Sequence, residues 1–340
     1  MFNFQNNLNL DITWHYDVIQ PLLGRARYVQ GKLIGQMETL AYTLKTEAHA
    51  QFMAEEVLYI SGLTEENEDY KAAHNNLLNY FNFAITPQEQ INSVVKTVAE
   101  LITEEVLNQE TYIDDVVINK WYEQLRMSDT TGVYKTIHTE NLDFSQPLKS
   151  FSEWYNYNNQ MDDMLKAAVC FFLFNKISAT NKIFNIISYL LTIRLLALSE
   201  NTFQRYYAVS KVLSVKNIEK TINETDNIVE KGITAYLLSF TDVFSKALEN
   251  STQILGKLLL KNEYWNNLSA KHLSIRQEKV LCYMKEQKIE KISTGTWAVV
   301  ASCSADTALR DVQDLLKKKV LLKTSAGGRS TLYELNMERL

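Results

Sequence analysis

The run Ala167-Ala168-Val169-Cys170-Phe171-Phe172-Leu173-Phe174 is entirely apolar, and a second, mostly apolar stretch covers residues 183–196. The residues between them, 175–182, are mainly polar. Neither apolar stretch reaches the roughly 18 uninterrupted residues that would indicate a membrane span. A helix that is apolar nearly all round is buried by protein instead. The sequence therefore predicts two central helices joined by a polar loop, and this loop is the first place to look for chemistry.

The composition predicts a mainly helical class. Only 10 Gly and 3 Pro occur in 340 residues, and long stretches carry good helix formers. The three cysteines have no short spacing, so we expect free core thiols in a reducing compartment, with neither a disulfide nor a zinc site. Residues 1–8 have no basic segment followed by an apolar one, so we expect no export signal and a cytoplasmic protein. The cysteines are Cys170, Cys282 and Cys303.

Charge is distributed unevenly along the chain. Residues 271–340 contain 13 Lys and Arg against 8 Asp and Glu, whereas the preceding residues contain 22 against 32. A basic C-terminal segment is a weak indication of nucleic-acid binding, because a patch of ordinary exposed lysines has the same net charge.

The N-terminal part predicts a helix that starts near Pro21, since proline suits the first helical turn. A second helix is predicted from about residue 47 to 59, followed by the polar stretch 61–69. Apolar residues at three- and four-residue spacing mark the buried face of the first helix; they are Leu22, Ala26, Val29, Leu33, Met37 and Leu40.

A set of residues in the N-terminal part carries a resemblance to a known family. They are Trp14, Gln20-Pro21-Leu22-Leu23, Arg25, Arg27, Gln30-Gly31-Lys32-Leu33-Ile34-Gly35, Met37-Glu38 and Glu55-Glu56-Val57. Together they resemble the helical domain that precedes the catalytic domain in a large group of bacterial Fic (Fido-fold) proteins. Those proteins typically transfer AMP from ATP to a protein hydroxyl. Their N-terminal domain carries an inhibitory motif, Ser/Thr-x-x-x-Glu-Gly/Asn. Ser61 and Glu65 keep its spacing, but Glu66 stands where Gly or Asn is expected, which implies a degraded motif.

A hairpin is predicted around residues 128–137, where β-branched and aromatic residues flank a Thr-Gly turn. Two amphipathic helices precede it within residues 86–130. In Fic proteins a hairpin at this place is the flap that pairs with an extended segment of the target protein. The alternative is a hairpin that only covers the core. The flap residues would be Gly132, Val133 and Tyr134.

The polar loop aligns with the Fic signature, His-Pro-Phe-x-Asp/Glu-Gly-Asn-Gly-Arg-x-x-Arg. In the family the histidine is the general base, the acid holds magnesium, the Gly-Asn-Gly backbone binds phosphate and the arginines neutralise it. By resemblance, Asn175 replaces the histidine, Ala179 the acid, Thr180 and Lys182 the glycines, and Ile183 and Ile186 the arginines. Of these positions only Asn181 is kept.

The substitutions imply a lost activity. An amide at position 175 takes up no proton at physiological pH, and a missing general base costs on the order of 10²–10⁴ in rate. Ala179 cannot hold a metal. Among the histidines, His138, which directly follows the predicted hairpin, is the one considered as a candidate for a functional role. We therefore expect no catalytic residues, no metal site and no cofactor. The alternative is an active protein adenylyltransferase that uses ATP and magnesium at a divergent site.

The last part of the chain predicts a winged helix-turn-helix. Helices at 274–286, 294–301 and 305–318, with Ser304 as an N-cap, precede a hairpin of strands 320–324 and 330–335. The run 303–311 resembles the same domain in this Fic group. If it binds DNA, Thr307 and Arg310 would face the major groove and basic side chains would contact phosphates; these are Lys317, Lys323 and Arg329.

Three acidic residues on the same helix argue against DNA binding, because they put negative charge on the presumed recognition helix. They are Asp306, Asp311 and Asp314, and the alternative is a packing or dimerisation role.

The whole prediction is a mainly α chain with a Fic-like helical fold, a small β-hairpin flap and a C-terminal winged helix. Its segments are an N-terminal helical domain at 1–85, a Fic-like core at 86–265 and the winged helix at 270–340. The partners considered are DNA, a protein at the flap and a second copy of the chain, with no membrane.

Overall fold

A computed structural model describes most of the chain, and it is mainly helical with one small antiparallel sheet. The predicted mainly α class is confirmed. The chain divides into two compact units, Met1–Thr252 and Gln253–Leu340, and the division falls inside a long helix. The residues described are 13–83, 91–108, 112–130, 132, 145–157, 161–177, 181–200, 204–213, 232–268, 272–286, 289–324 and 331–336.

Helices build the described part of the first unit. In order they are α1 Tyr16–Glu38, α2 Tyr42–Ile60, α3 Tyr70–Phe83, α4 Ser93–Leu101 with a π-helical turn Ile102–Val106, α5 Asp115–Ser128, α6 Ser145–Tyr157, α7 Asp163–Ile177, α8 Lys182–Glu200, the single turn α9 Ser210–Leu213, and α10 Thr234–Leu268, which runs on into the second unit.

Helix α1 begins earlier than its proline predicted. It starts at Tyr16, so Pro21 lies inside it. Burial explains the earlier start, because Ile19 packs into the core ahead of the proline. The buried face also includes the polar Gln30, while Val29 next to it is only half-buried. The predicted apolar face was therefore displaced by one residue at this point.

Helices α7 and α8 confirm the prediction of two central helices. The whole predicted apolar run of α7 is buried, and so are most residues of α8. By length and composition α8 could also cross a membrane, but 78% of its most apolar window is buried inside the protein. A buried core helix passes the same test, so this is weak evidence for a span. The middle of the connecting loop lies outside the described residues.

Arg194 of α8 binds the end of the π-helical turn. Its Nη1 donates to the carbonyls of Glu105 at 3.2 Å and Val106 at 3.1 Å, and also to that of Asn108. The last carbonyls of a helix have no partner within it, and a cation near them is favourable. Only 2% of Arg194 is exposed, so a buried charged contact joins helix α8 to the π-helical turn that follows α4.

The second unit contains three further helices and all three strands found in the described residues: α11 Ile275–Glu286, β1 Lys291–Ser293, α12 Thr294–Ala301, α13 Ala305–Lys317, β2 Leu321–Lys323 and β3 Leu332–Leu335. The strand order is β1-β3-β2, and both pairings are antiparallel. Its core is built around Trp297, Leu281 and Leu315, and the Tyr264 hydroxyl of α10 donates to the Val320 carbonyl at 2.9 Å. The sequence predicted these helices but not β1.

The predicted set of three core thiols is wrong for one member. Cys170 is buried, Cys303 is half-buried and Cys282 is exposed, and all three are free. Burial raises the pKa of the Cys170 thiol well above its usual range, so this thiol is inert. Cys282 lies on the outer face of α11, where a small apolar side chain needs no burial to be tolerated.

Candidate functional site

Asn175, which the sequence resemblance aligns with the histidine of the Fic signature, lies near the end of α7. Its Nδ2 donates to the Phe171 carbonyl one turn earlier at 2.7 Å and to Ser188 Oγ of α8 at 3.1 Å. Ser188 is fully buried, and its hydroxyl in turn donates to the Asn185 carbonyl at 2.7 Å. The Asn175 amide thus joins the two central helices, and both of its donor hydrogens have acceptors within the protein.

Asn181, which the same resemblance aligns with the signature's asparagine, is the N-cap of α8. Its Oδ1 accepts from the backbone N–H groups of Ile183 at 2.9 Å and Phe184 at 3.3 Å. Its Nδ2 lies 3.5 Å from the hydroxyl of Tyr122 in α5, and only 4% of the residue is exposed. A free helix N-terminus offers such N–H groups to an anion. Here the Asn181 side chain takes up these two groups.

Aromatic rings pack beside this N-cap. The Phe184 ring centroid lies 5.0 Å from that of Tyr122 and 5.7 Å from that of Phe174. Phe174 packs in turn against Phe151 at 5.1 Å. These separations are those of favourable aromatic pairs. The first turn of α8 is therefore packed against aromatic side chains from α5 and α7.

The two residues that the resemblance aligns with the signature's arginines belong to the core. Ile183 is 4% exposed and Ile186 is 3% exposed, whereas Lys182 at the position of the second glycine is exposed. Ala179 and Thr180 lie outside the described residues. Within the described ranges, no three His, Cys, Asp or Glu side chains come together in a group that could hold a metal ion.

The residues whose spacing resembles the inhibitory motif lie at the end of α2 and in the turn that follows. Ser61 is the C-cap residue of α2, and its backbone N–H donates to the Val57 carbonyl at 3.0 Å. The Glu65 carboxylate accepts a hydrogen bond from Lys211 Nζ of α9 at 2.9 Å, which lowers the pKa of Glu65. Lys211 also lies over the Tyr59 ring. The glutamate thus pairs with α9.

Sequence reasoning missed a buried polar contact between α2 and the segment 204–213. The Glu56 carboxylate accepts from the N–H of Val209 at 2.6 Å and from the N–H of Ser210 at 2.9 Å, as well as from the Ser210 hydroxyl. Glu56 is fully buried, and burial raises its pKa against the opposing effect of these bonds. The carboxylate caps the turn α9, so it holds this segment on α2.

His49 of α2 binds the same segment. Its Nδ1 accepts the backbone N–H of Arg205 at 2.9 Å. Burial lowers the pKa of His49 to about 4, so the imidazole is neutral at physiological pH. Its role in the fold is that of a hydrogen-bond acceptor, and neutrality is the form that this contact requires.

A further buried network centres on Glu200 at the end of α8. Its carboxylate accepts from Arg205 Nη1 at 2.5 Å, from Gln30 Nε2 at 2.5 Å and from the Tyr207 hydroxyl. Arg205 also stacks on the Tyr207 ring. The signal that could have found it is Gln30, a polar residue on the otherwise apolar face of α1. Since a buried polar group needs a partner, such a residue predicts a network.

The flap falls almost wholly outside the described residues. Gly132 is described and has a φ of 70°, a backbone conformation that suits glycine. Val133, Tyr134 and His138 lie outside the described residues, so the hairpin stays a prediction.

In the second unit, two of the three acids on α13 are engaged by neighbouring side chains. Asp311 is paired with Arg276 of α11 through two bonds of 3.1 Å. Asp314 accepts from Gln277 at 2.9 Å and from Lys318 at 2.6 Å, and these bonds lower its pKa. The negative charge that argued against DNA binding is therefore largely neutralised on the side of α13 that faces α11.

The exposed stripe of α13 carries Asp306, Leu309, Arg310, Gln313 and Lys317. Their three- and four-residue spacing places them on one face of the helix. Thr307 is half-buried, and its hydroxyl lies 2.9 Å from the N-cap hydroxyl of Ser304. Lys323 of β2 is exposed, and Arg329 lies outside the described residues.

Comparisons with known proteins give two findings. Residues 2–82 match a family described as a domain of unknown function, DUF4172. The chain is also similar in structure to a Fic family protein from Desulfovibrio desulfuricans G20, with 11% sequence identity, a TM-score of 0.46, and coverage of 95% of this chain and 97% of that one. No curated protein matches. At this identity and TM-score, the similarity assigns no activity to the chain.

Proposed function

We propose that this chain is a non-catalytic relative of Fic proteins that acts as a binding or regulatory module. The observation that carries the proposal is the use made of the two asparagines at the signature positions. Asn175 bridges α7 and α8, and Asn181 caps α8. Both amides serve the fold, and neither can act as a general base at physiological pH.

Two further features support the loss of the activity. The positions of the phosphate-binding arginines hold the core residues Ile183 and Ile186. Two of the N–H groups that a phosphate would use at the start of α8, those of Ile183 and Phe184, are bonded to Asn181. Phosphoryl and nucleotidyl transfer depend on positioning and charge stabilisation. The described side chains here supply neither a phosphate clamp nor a carboxylate for a metal.

The alternative is an active adenylyltransferase with a divergent site, and labelled ATP separates the two. The full chain is incubated with ATP carrying label on the α-phosphate, magnesium and a cell lysate, beside a variant with Asn175→Ala. We expect no transfer of AMP to protein in either sample and no thermal shift with ATP. Labelling that is lost on Asn175→Ala or on substitution of His138 would overturn the proposal.

A second candidate function, DNA binding, is favoured by the charges on α13. The order α11, β1, α12, α13, β2, β3 supports a winged-helix module, in which α13 would be the recognition helix. With Asp311 and Asp314 paired, the exposed stripe carries Arg310 and Lys317 against one free acid, Asp306. We therefore propose that the second unit binds duplex DNA through this stripe.

A mobility shift at several salt concentrations tests this function. We expect binding at low salt that weakens as salt increases, since phosphate contacts release counterions. Arg310→Ala should weaken it, whereas Lys279→Ala, which removes an exposed lysine of α11, serves as the matched control. No shift at 50 mM salt would rule the function out. A protein partner at the flap, a homodimer and a cytoplasmic location stay predictions.

A further inference from the structure

We infer that the exposed stripe of α13 reads a guanine beside an adenine in the DNA major groove, with Arg310 and Gln313 as the two base contacts. This inference rests on the DNA binding proposed above and adds a sequence preference to it. A helix that bound only phosphates would need positive charge along its exposed face. The stripe instead alternates a cation, an amide, an acid and an apolar residue.

Spacing places the two side chains on neighbouring base pairs. Arg310 and Gln313 are three residues apart in one helix, so their Cβ atoms are about 5–6 Å apart. Successive bases of one strand are about 3.4 Å apart along the axis. Two long side chains from adjacent turns can therefore reach successive base edges when the helix lies in the major groove.

Both side chains are available without any rearrangement. Arg310 and Gln313 are exposed, and neither makes a side-chain hydrogen bond or ion pair within the described part of the chain. The opposite face of α13 is held in the core by Ala308, Val312 and Leu315, all fully buried. The helix is thus already fixed, and docking needs no further ordering of its backbone.

Chemistry assigns a base to each side chain. Arginine bonds both O6 and N7 of guanine, and glutamine bonds N6 and N7 of adenine. Leu309, which is 41% exposed, offers an apolar contact to a thymine methyl group. Asp306 repels phosphates and can accept only from base amino groups such as that of cytosine. Lys317, in the last turn, is left to bind phosphate without sequence preference.

Double-helical DNA is favoured over double-stranded RNA as the ligand. The major groove of A-form RNA is deep and narrow, and side chains cannot read the bases in it. The B-form groove admits an α-helix. The stripe runs along most of α13, so it suits the wider groove.

Selection from a random duplex pool with the full chain tests the inference, followed by fluorescence anisotropy on the enriched sequence. We expect enrichment of a guanine next to an adenine, and a loss of affinity of about tenfold to a hundredfold when that guanine is replaced. Arg310→Ala should abolish the preference at that position. Lys317→Ala should weaken all duplexes equally and lower the salt slope by about 1.

Each other outcome has a defined meaning. Binding without sequence preference overturns the inference and leaves DNA binding standing, whereas no binding to any duplex overturns both. A preference for guanine that persists in Arg310→Ala also overturns it. Circular dichroism checks that the variants keep their helix content. A change in molecular mass on Arg310→Ala, seen by light scattering, would assign the stripe to self-association instead.

Discussion

The stability of the first unit should depend on the protonation of His49. Its Nδ1 accepts the Arg205 backbone N–H at 2.9 Å, and burial lowers its pKa to about 4. The perturbation is His49→Asn, because the asparagine Oδ1 can accept the same N–H but does not titrate. The variant therefore keeps the acceptor and removes only the dependence on pH.

The sign follows from the two pKa values. In the unfolded chain a histidine has a pKa of about 6.5, so between pH 6.5 and 4 the unfolded state binds a proton that the folded state does not. The stabilising effect is complete above pH 6.5 and is lost as the pH falls toward 4. Linkage gives a loss of as much as about 2 kcal/mol in the free energy of unfolding between pH 7 and pH 5.

Urea unfolding at pH 7, 6 and 5, followed by circular dichroism, measures this loss. Burial raises the pKa values of Glu55 and Glu56, which act in the opposite direction. They are present in both proteins and cancel in the difference between wild type and His49→Asn. An equal loss in the free energy of unfolding between pH 7 and pH 5 in wild type and His49→Asn would refute the reasoning. So would an NMR titration in which the His49 ring protons have a midpoint near pH 6.5.

Three further predictions concern other contacts. Asn181→Ala should lower the free energy of unfolding by about 1 kcal/mol through loss of the cap, and Asn181→Asp by less, as measured by urea unfolding. Ile186→Arg, which introduces the residue of the aligned Fic signature, should lower the free energy of unfolding by about 3–5 kcal/mol because it buries an unpaired charge; calorimetry checks this, and an unchanged melting temperature would contradict it. Arg276→Ala should weaken DNA binding by leaving the Asp311 carboxylate unpaired, and adding Asp311→Asn to this variant should restore the affinity. Fluorescence anisotropy with duplex DNA at low salt measures the affinity of each variant.

Local signals explain why the helices of the second unit could be predicted closely. Ser304 caps α13 through its own side chain, with Thr307 N–H as donor at 3.3 Å, and such a contact within four residues is visible in the sequence. Strand β1 is different, since Lys291–Ser293 has three residues and is a strand only through its pairing with β3. A partner about forty residues away leaves no local pattern.

The same distinction holds in the first unit. The apolar runs of α7 and α8 predicted their burial, because a helix that is apolar on all sides has no face to turn to water. The start of α1 could not be predicted from Pro21. Local propensity favoured a start at the proline, but burial of Ile19 extends the helix to Tyr16.

The sequence by itself determined which chemistry position 175 can perform, because residue identity decides what a side chain can protonate. An amide at this position excludes a general base there in any fold. Only the tertiary structure decided what the side chains do instead: Asn175 bridges two helices, Asn181 caps one, and Asp311 pairs with Arg276. Packing brings together residues that are distant in the chain, and hydrogen-bond partners and neutralised charges depend on that proximity.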